Sequence, residues 1–436
     1  MWSDNSVFYQ IYPLGFCGAP QQNDYVPVNR IRRVEEWIPH LLKMHVNAIY
    51  FSPVFESDTH GYDTADYTKI DTRLGTNQDF AHVCLKLHQN NIKVVLDGVF
   101  NHVGRSFGPF VDVLKNREAS PYVRWFHIDF NGNSPYNDGL WYEGWEGHYE
   151  LVKLNLQNPD VKNYLFECVC SWIDQFDIDG LRLDVAYLLP EDFMRQLRGV
   201  VHSKKEDFFL LGEMLHGDYN RICNGEMLDS VTNYECYKGL YSSFNSYNFF
   251  EICYSLNRQF GPEQWTLYRG KHLYNFADNH DVTRLATILQ KQQHLAGLYA
   301  MLFTIPGIPS IYYGSEWGIQ GDKSAGDNAL RPQVENPEWN ELTDTIAKLT
   351  AIHRESNALC WGDYRQIYLT NRQCVYLRST NEEKVYVCIN CDENEAQVKL
   401  DICLKGVELF EGRNIQVDYH LTLPPYGFAI IRQTQE

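Results

Sequence analysis

The chain has 436 residues, 44% of them hydrophobic and 14% aromatic, enough for one large globular domain with a smaller one beside it. Its formal charge of −18 argues against nucleic acid or an anionic membrane as partner. The opening MWSDNSVFYQIYP has no basic or apolar leader stretch, and no run of about 18 apolar residues follows, so neither a secretory leader nor a membrane span is expected.

Short apolar runs recur along the chain, separated by helical patterns. Five are well marked, at 7–13, 48–53, 93–99, 180–185 and 208–214; three weaker ones lie at 230–235, 274–279 and 308–314. Amphipathic stretches such as 31–45, 77–91 and 160–176 fall between them. Strands alternating with helices predict a parallel sheet, and eight of them close a (β/α)8 TIM barrel, an α/β fold. The third and fourth runs are too far apart, since a βα unit needs only about 30 residues. The excess, 103–155, is rich in aromatic, Gly and Asn residues. It is read as an inserted subdomain walling one side of the barrel's C-terminal face, where active sites of this fold lie. Its Trp141, Tyr142 and Trp145 suit either a sugar platform or a small core. Beyond 357, segments such as RQIYLT, CVYLRS, KVYVCIN and GFAIIRQ predict a C-terminal antiparallel β-sandwich. The expected domains are therefore a barrel over 1–102 and 156–356, an insert over 103–155 and a sandwich over 357–436.

Twelve cysteines are scattered. Cys84, Cys236 and Cys253 stand in apolar contexts, Cys168 and Cys170 point apart on a helix, and Cys388 and Cys391 form a lone CxxC. Buried reduced thiols in a cytoplasmic protein are expected, rather than disulfides or zinc.

The stretch 179–186, DGLRLDVA, puts Arg182 and Asp184 on the side of a strand opposite Leu181, Leu183 and Val185. Such a charged pair is costly unless it faces a polar site. Taken alone it reads equally well as a structural ion pair. The other strand ends decide. Asp97 ends the third run, Glu213 ends the fifth, and Asp281 follows the seventh; His102 and His280 arrive with them. Four acids thus converge on one barrel rim, and three of them suggest retaining glycoside chemistry. One attacks the anomeric carbon, a second protonates the leaving oxygen and then activates water, and a third favours the distorted ring. Arg182 is expected to keep Asp184 ionised and oriented. Metal ligation is the rival reading of an acid cluster, and two histidines with hard acids could hold zinc or manganese, but no HxxxH or HxH spacing supports it. Neither a cofactor nor a metal is expected.

DGVFNH at 97–102, GLRLDVA at 180–186, LLGEM at 210–214, FADNHD at 276–281 and HGYDTADY at 60–67 together resemble the conserved regions of the α-amylase family of glycoside hydrolases. The resemblance implies Asp184 as nucleophile, Glu213 as acid/base and Asp281 as transition-state stabiliser. It implies Tyr62 stacked on the reacting sugar, with His102, Arg182 and His280 bonding its hydroxyls and Asp97 in the same substrate-binding set. DNALR at 327–331 adds Asp327 and Arg331 on the donor side. Within the family, LVKLN at 151–155 and the segment from Glu213 to His216 resemble the neopullulanase, cyclomaltodextrinase and maltogenic amylase group, which adds His216 to the substrate-binding residues. Val185 resembles members that accept α-1,6 bonds. Three departures stand out. The first strand begins near residue 7, where the group carries an extra N-terminal domain that helps form dimers, so oligomeric state is left open. Tyr187-Leu188 replace the group's Asn-Glu. Leu188 also stands where calcium-dependent amylases have a ligating histidine, leaving Asn101 without a co-ligand.

The leading expectation is a cytoplasmic retaining hydrolase of α-1,4 and α-1,6 glucosidic bonds, with an α-glucan oligosaccharide as its partner. The alternatives are an α-glucanotransferase, in which a sugar hydroxyl replaces water, and a non-catalytic α-glucan-binding relative. Such relatives usually lose the acids that are all present here.

Overall fold

A computed structural model describes residues 1–434. Each of the eight runs contains one strand of a single parallel sheet: β1 Phe8–Ile11, β2 Ala48–Phe51, β3 Lys93–Gly98, β4 Gly180–Leu183, β5 Phe209–Gly212, β6 Ser230–Val231, β7 Tyr274–Phe276 and β8 Ile308–Tyr312. The neighbour order is β6-β5-β4-β3-β2-β1-β8-β7. A lone parallel bridge, Thr232 to Tyr274, joins the end of β6 to β7 and completes the ring. Strands covered on both faces need apolar residues on both, which is why they read as continuous runs.

Inward-facing side chains fill the barrel. Phe8, Tyr50, Val95, Phe209, Leu211, Tyr274 and Phe276 form one buried cluster. Side chains alternate along a strand, so the parity that turns Val95 and Phe209 inward also turns Asp97 and Arg182 inward, one layer higher. The site therefore stands directly on the barrel's apolar plug. The sixth run is shorter than expected. Asn233 accepts from the Cys236 amide and caps a helix over Tyr234–Ser246, so only two residues pair as strand.

Between β3 and β4 the insertion forms its own antiparallel sheet from His102–Gly104, Gly144–Trp145 and His148–Lys153. Tyr142 belongs to its core, edge-on to Phe110 at 4.9 Å. Trp141 is 37% exposed. The six C-terminal strands, from Asp363 to Gln433, form one continuous antiparallel sheet rather than two separate ones. It nevertheless encloses a core of its own, including Val375, Tyr386, Leu400, Leu404 and Val417, as a sandwich does. Of the twelve free thiols, all but Cys170 and Cys403 are buried. Among the described residues no helix is long and apolar enough to cross a membrane.

At the foot of the barrel, Asp179 accepts from His88 Nε2, Lys93 Nζ and the Val94 amide, each at 2.9 Å, and pairs with Lys205 Nζ at 2.8 Å. Burial opposes its ionisation, but these donors hold its carboxyl well below the usual range. A depressed folded-state pKa adds stability above the unfolded-state value near about 4 that is lost as pH falls. Asp179→Asn is expected to cost about 1–3 kcal/mol at pH 7, because it removes the buried carboxylate that accepts from the partly buried His88, Lys93 and Lys205. In urea titrations the gap to the wild type should narrow below about pH 4. A gap unchanged between pH 7 and pH 3 would show that ionisation is not the source of the stability.

Candidate active site

Four acids converge at the C-terminal ends of the barrel strands. Asp97 sits within β3, Asp184 follows β4, Glu213 follows β5 and Asp281 lies beyond β7. Asp184, Glu213 and Asp281 line one cleft of about 590 Å³. Beneath it, the Arg182 guanidinium ties three of them together. Nη1 donates to Asp184 Oδ1 at 2.8 Å and to Asp97 Oδ1 at 2.9 Å, while Nη2 lies 2.8 Å from Glu213 Oε1. Glu213 Oε2 accepts from the Val185 amide at 2.9 Å. Val185 adopts φ +48°, a left-handed conformation that is a true outlier for a β-branched residue and costs about 1–3 kcal/mol. That strain aims the amide at Glu213.

Arg182 bonds Asp184 and favours its ionised form as expected, but it does not act on Asp184 alone. Its one charge is divided among three carboxylates. Burial pushes Asp184 well above the usual range; Arg182 opposes this, while Glu213 and Asp97 reinforce it. Burial also raises Glu213, against Arg182 and the Val185 amide and with help from the charge of Asp281. Asp281 goes the other way. Burial opposes its ionisation, but His280, Arg331 and Arg182 bring it well below the usual range. Arg331 Nη2 bonds Asp281 Oδ1 at 2.9 Å, and His280 Nε2 lies 2.9 Å from Oδ2. Gln10 Nε2 donates to His280 Nδ1 at 2.8 Å, which puts the ring proton on Nε2, facing Asp281 and the Tyr62 hydroxyl. Burial thus favours the neutral forms of Asp184 and Glu213, while its cationic neighbours favour the ionised form of Asp281.

Tyr62 lines the cleft, its ring parallel to that of His280 at 5.5 Å. Its hydroxyl donates to Asp97 Oδ2 at 3.0 Å. His102 is neutral, since burial pushes it down to about 3. Asn101 Nδ2 donates to its Nδ1 at 3.1 Å, leaving an Nε2–H donor with no partner, 3.9 Å from Asp184 Oδ2. An unpaired buried donor beside a nucleophile candidate is poised for a substrate oxygen. Asp327 lies on the rim and pairs with Arg331 at 3.2 Å.

Four expected substrate-binding residues are not among those that line the cleft: Asp97, Arg182 and His280, which are buried beneath it, and His216. Asp97 is 1% exposed and saturated by Arg182, Tyr50 and Tyr62, so it orients its neighbours from below and does not meet a sugar. His216 is exposed, its ring 5.9 Å from that of Tyr187, and it is not itself among the residues that line the cleft. Leu215 lines the cleft instead. Tyr187, singled out as a departure from the group's pattern, lines the cleft, and further lining residues went unread in the sequence: His60, His148, Glu150, Tyr234 and Lys323. His60 lies within the HGYDTADY stretch that carried Tyr62, so a signal for it was available. His148 and Glu150 lie on a strand of the insertion, Tyr234 opens a helix and Lys323 begins a short 3-10 turn, and only the fold brings them to the cleft.

The calcium of some relatives does not fit this chain. The hollow where Asn101 meets Leu188 also receives the Lys153 ammonium, paired with Glu143 Oε1 at 2.5 Å. A divalent cation there would face a resident positive charge.

The family profile "Alpha amylase, catalytic domain" matches residues 10–396, and "Maltogenic Amylase, C-terminal domain" matches residues 364–430. The chain belongs to the α-amylase family of glycoside hydrolases. It is 32% identical to a cyclomaltodextrinase of Bacillus sp over 443 residues, covering 93% of this chain and 75% of that one. It is 31% identical to neopullulanase 2 of Thermoactinomyces vulgaris, covering 99% and 78%. The cyclic α-maltosyl-(1→6)-maltose hydrolase of Arthrobacter globiformis, solved with its cyclic substrate, superposes with a TM-score of 0.84 at 27% identity, covering 99% of each chain. This α-amylase-family glycosidase therefore carries its acids on the barrel face that the fold reserves for catalysis.

Proposed function

We propose that the protein is a retaining hydrolase of α-1,4 and α-1,6 glucosidic bonds in short or cyclic α-glucans, with Asp184 as nucleophile and Glu213 as acid/base. The reading is carried by the single guanidinium of Arg182 that joins Asp184 to Glu213. Carboxyls sharing one guanidinium stand close, as the about 5–5.5 Å spacing of a retaining pair requires. Double displacement requires Glu213 to hold the proton that the leaving oxygen takes and Asp184 to be ionised when it attacks. Asp184 attacks the anomeric carbon as Glu213 protonates the departing oxygen. Glu213, now a base, then activates water against the glycosyl-enzyme ester. Asp281, ionised throughout, faces the positive charge that grows on the sugar ring. Tyr62 stacks beneath that ring and the His102 Nε2 donor meets its hydroxyls, while His280 Nε2 holds Asp281 and the Tyr62 hydroxyl in place and Arg331 and Asp327 hold the donor side.

Substrate size follows from the walls. The insertion places Trp145, His148 and Glu150 on the cleft, and the 320s loop brings Lys323. A cleft walled on both sides favours short or cyclic chains over long polymers. Its partner is thus an α-glucan oligosaccharide, and twelve free thiols suit a cytoplasmic setting. We expect kcat/KM for maltotriose to maltoheptaose, or for cyclodextrins, to exceed that for soluble starch per chain, with slow cutting of pullulan. Comparable rates on amylose and maltohexaose, with an early fall in viscosity, would mark an open-cleft endo-acting enzyme instead.

A further inference from the structure

Behind the catalytic cleft the insertion encloses a second hollow of about 410 Å³, with Trp141, Trp145, Tyr149, Glu143, Glu146 and Lys153 among its lining. It shares only Trp145 with the cleft. The partition is the hairpin of Gly144–Trp145 and His148–Lys153. Glu146 and Gly147 both have positive φ, +48° and +89°, as a two-residue turn between paired strands requires. Trp145 and His148 pair across that turn and their rings stack at 5.5 Å. Side chains alternate from His148 to Glu150, after which a register shift leaves Leu151 on the cleft side as well. His148 and Glu150 line the cleft, whereas Tyr149 and Lys153 line the hollow. The hairpin is one strand-layer thick, and both of its faces are furnished.

The chemistry of the hollow is that of a sugar site. Trp141 offers an open indole, 37% exposed and braced by its Nε1 bond to the Tyr149 hydroxyl at 3.1 Å. The Glu143–Lys153 pair supplies acceptors and donors at no net charge, which suits a neutral polyol. The Trp145 Nε1 donor in the shared wall is buried without a partner. Position defines which part of a substrate could arrive. Asn101 and Leu188, which also line the hollow, follow β3 and β4, across the barrel from the Asp327–Arg331 pair beyond β8. The hollow therefore lies on the acceptor side.

We infer that this hollow is an accessory binding site for the acceptor-side end of an α-glucan chain that passes over the hairpin tip beyond the cleft. The inference rests on the proposed α-glucan hydrolysis and adds a length sensor to it. Short oligosaccharides are held by the cleft alone, and longer ones gain stacking on Trp141 and polar contacts with Glu146.

The test compares maltotriose with maltoheptaose for the full-length wild type, Trp141→Ala, Trp141→Phe and Glu146→Ala. Trp141→Ala is expected to lower kcat/KM for maltoheptaose about tenfold, the equivalent of about 1.4 kcal/mol, and to leave maltotriose within about twofold. Trp141→Phe should retain most of the maltoheptaose rate. Glu146→Ala, at an exposed turn, should fold normally and lose about threefold on maltoheptaose only, which keeps the test decisive if Trp141→Ala is unstable. Equal effects on both substrates, or none on either in an active enzyme, overturn the inference while leaving the proposed function standing. A wild type that cuts neither substrate overturns both. A melting temperature raised by calcium and lowered by a chelator would make the hollow a metal site and overturn the inference.

Discussion

Asp184→Asn is expected to lower kcat on maltooligosaccharides by at least about 10³-fold while the melting temperature stays near that of the wild type. The nucleophile forms the covalent bond itself, and losses on removing such groups reach about 10⁴–10⁶. The amide of Asn retains an oxygen to accept from Arg182 Nη1, so the arrangement under the cleft should persist. The substitution also removes a negative charge that burial, Glu213 and Asp97 all disfavour. Stability is therefore expected to hold or rise slightly, the usual exchange between strained function and stability. The decisive readout is the pairing of a lost kcat with an intact thermal transition. A variant keeping more than about a tenth of wild-type turnover would remove Asp184 from the nucleophile's role.

Glu213→Gln should separate two classes of substrate. A glucosyl leaving group needs a proton, and fluoride does not. The variant is expected to lose about 10³-fold or more on maltotriose, yet still to be glycosylated by an α-maltosyl fluoride. Without a base to activate water, the glycosyl-enzyme should accumulate, and azide should speed its breakdown by direct attack. The pH profile carries a second signature. Glu213 must hold its proton in the first step, and its pKa is raised by burial. Wild-type activity should therefore fall as pH rises through that raised value. Glycosylation of the variant by the fluoride should lack this alkaline limb. Equal losses on both substrates would assign the acid role to another group.

Much of this arrangement was legible before folding. The eight runs are readable because a strand buried on both faces must be apolar throughout, and the acids stand at the ends of those runs, where the barrel collects them. What could not be read depends on contacts between distant segments. Asp97 looks like a cleft residue in DGVFNH, but Tyr50 on β2 bonds it from the layer below and Tyr62 bonds it from the cleft side. Arg182 looks like the partner of Asp184 alone, yet the parallel register sets it beside Asp97 and the next strand brings Glu213 to its other nitrogen. His216 lies three residues past Glu213 in a loop whose direction no local pattern encodes. The aromatics of the insertion divide three ways, with Tyr142 in its core, Trp145 in the shared wall and Trp141 on the outer hollow. Composition marked them together, and only the hairpin's alternation sorts them.

The central claim is that Asp184 and Glu213 act by double displacement. Proton NMR of the anomeric region during the first turnovers on maltotetraose tests it directly, before mutarotation mixes the products. Two inversions at one carbon predict that the new reducing end appears first as the α anomer and drifts later towards the β form. First appearance of the β anomer would mean a single inversion by water and would contradict the account.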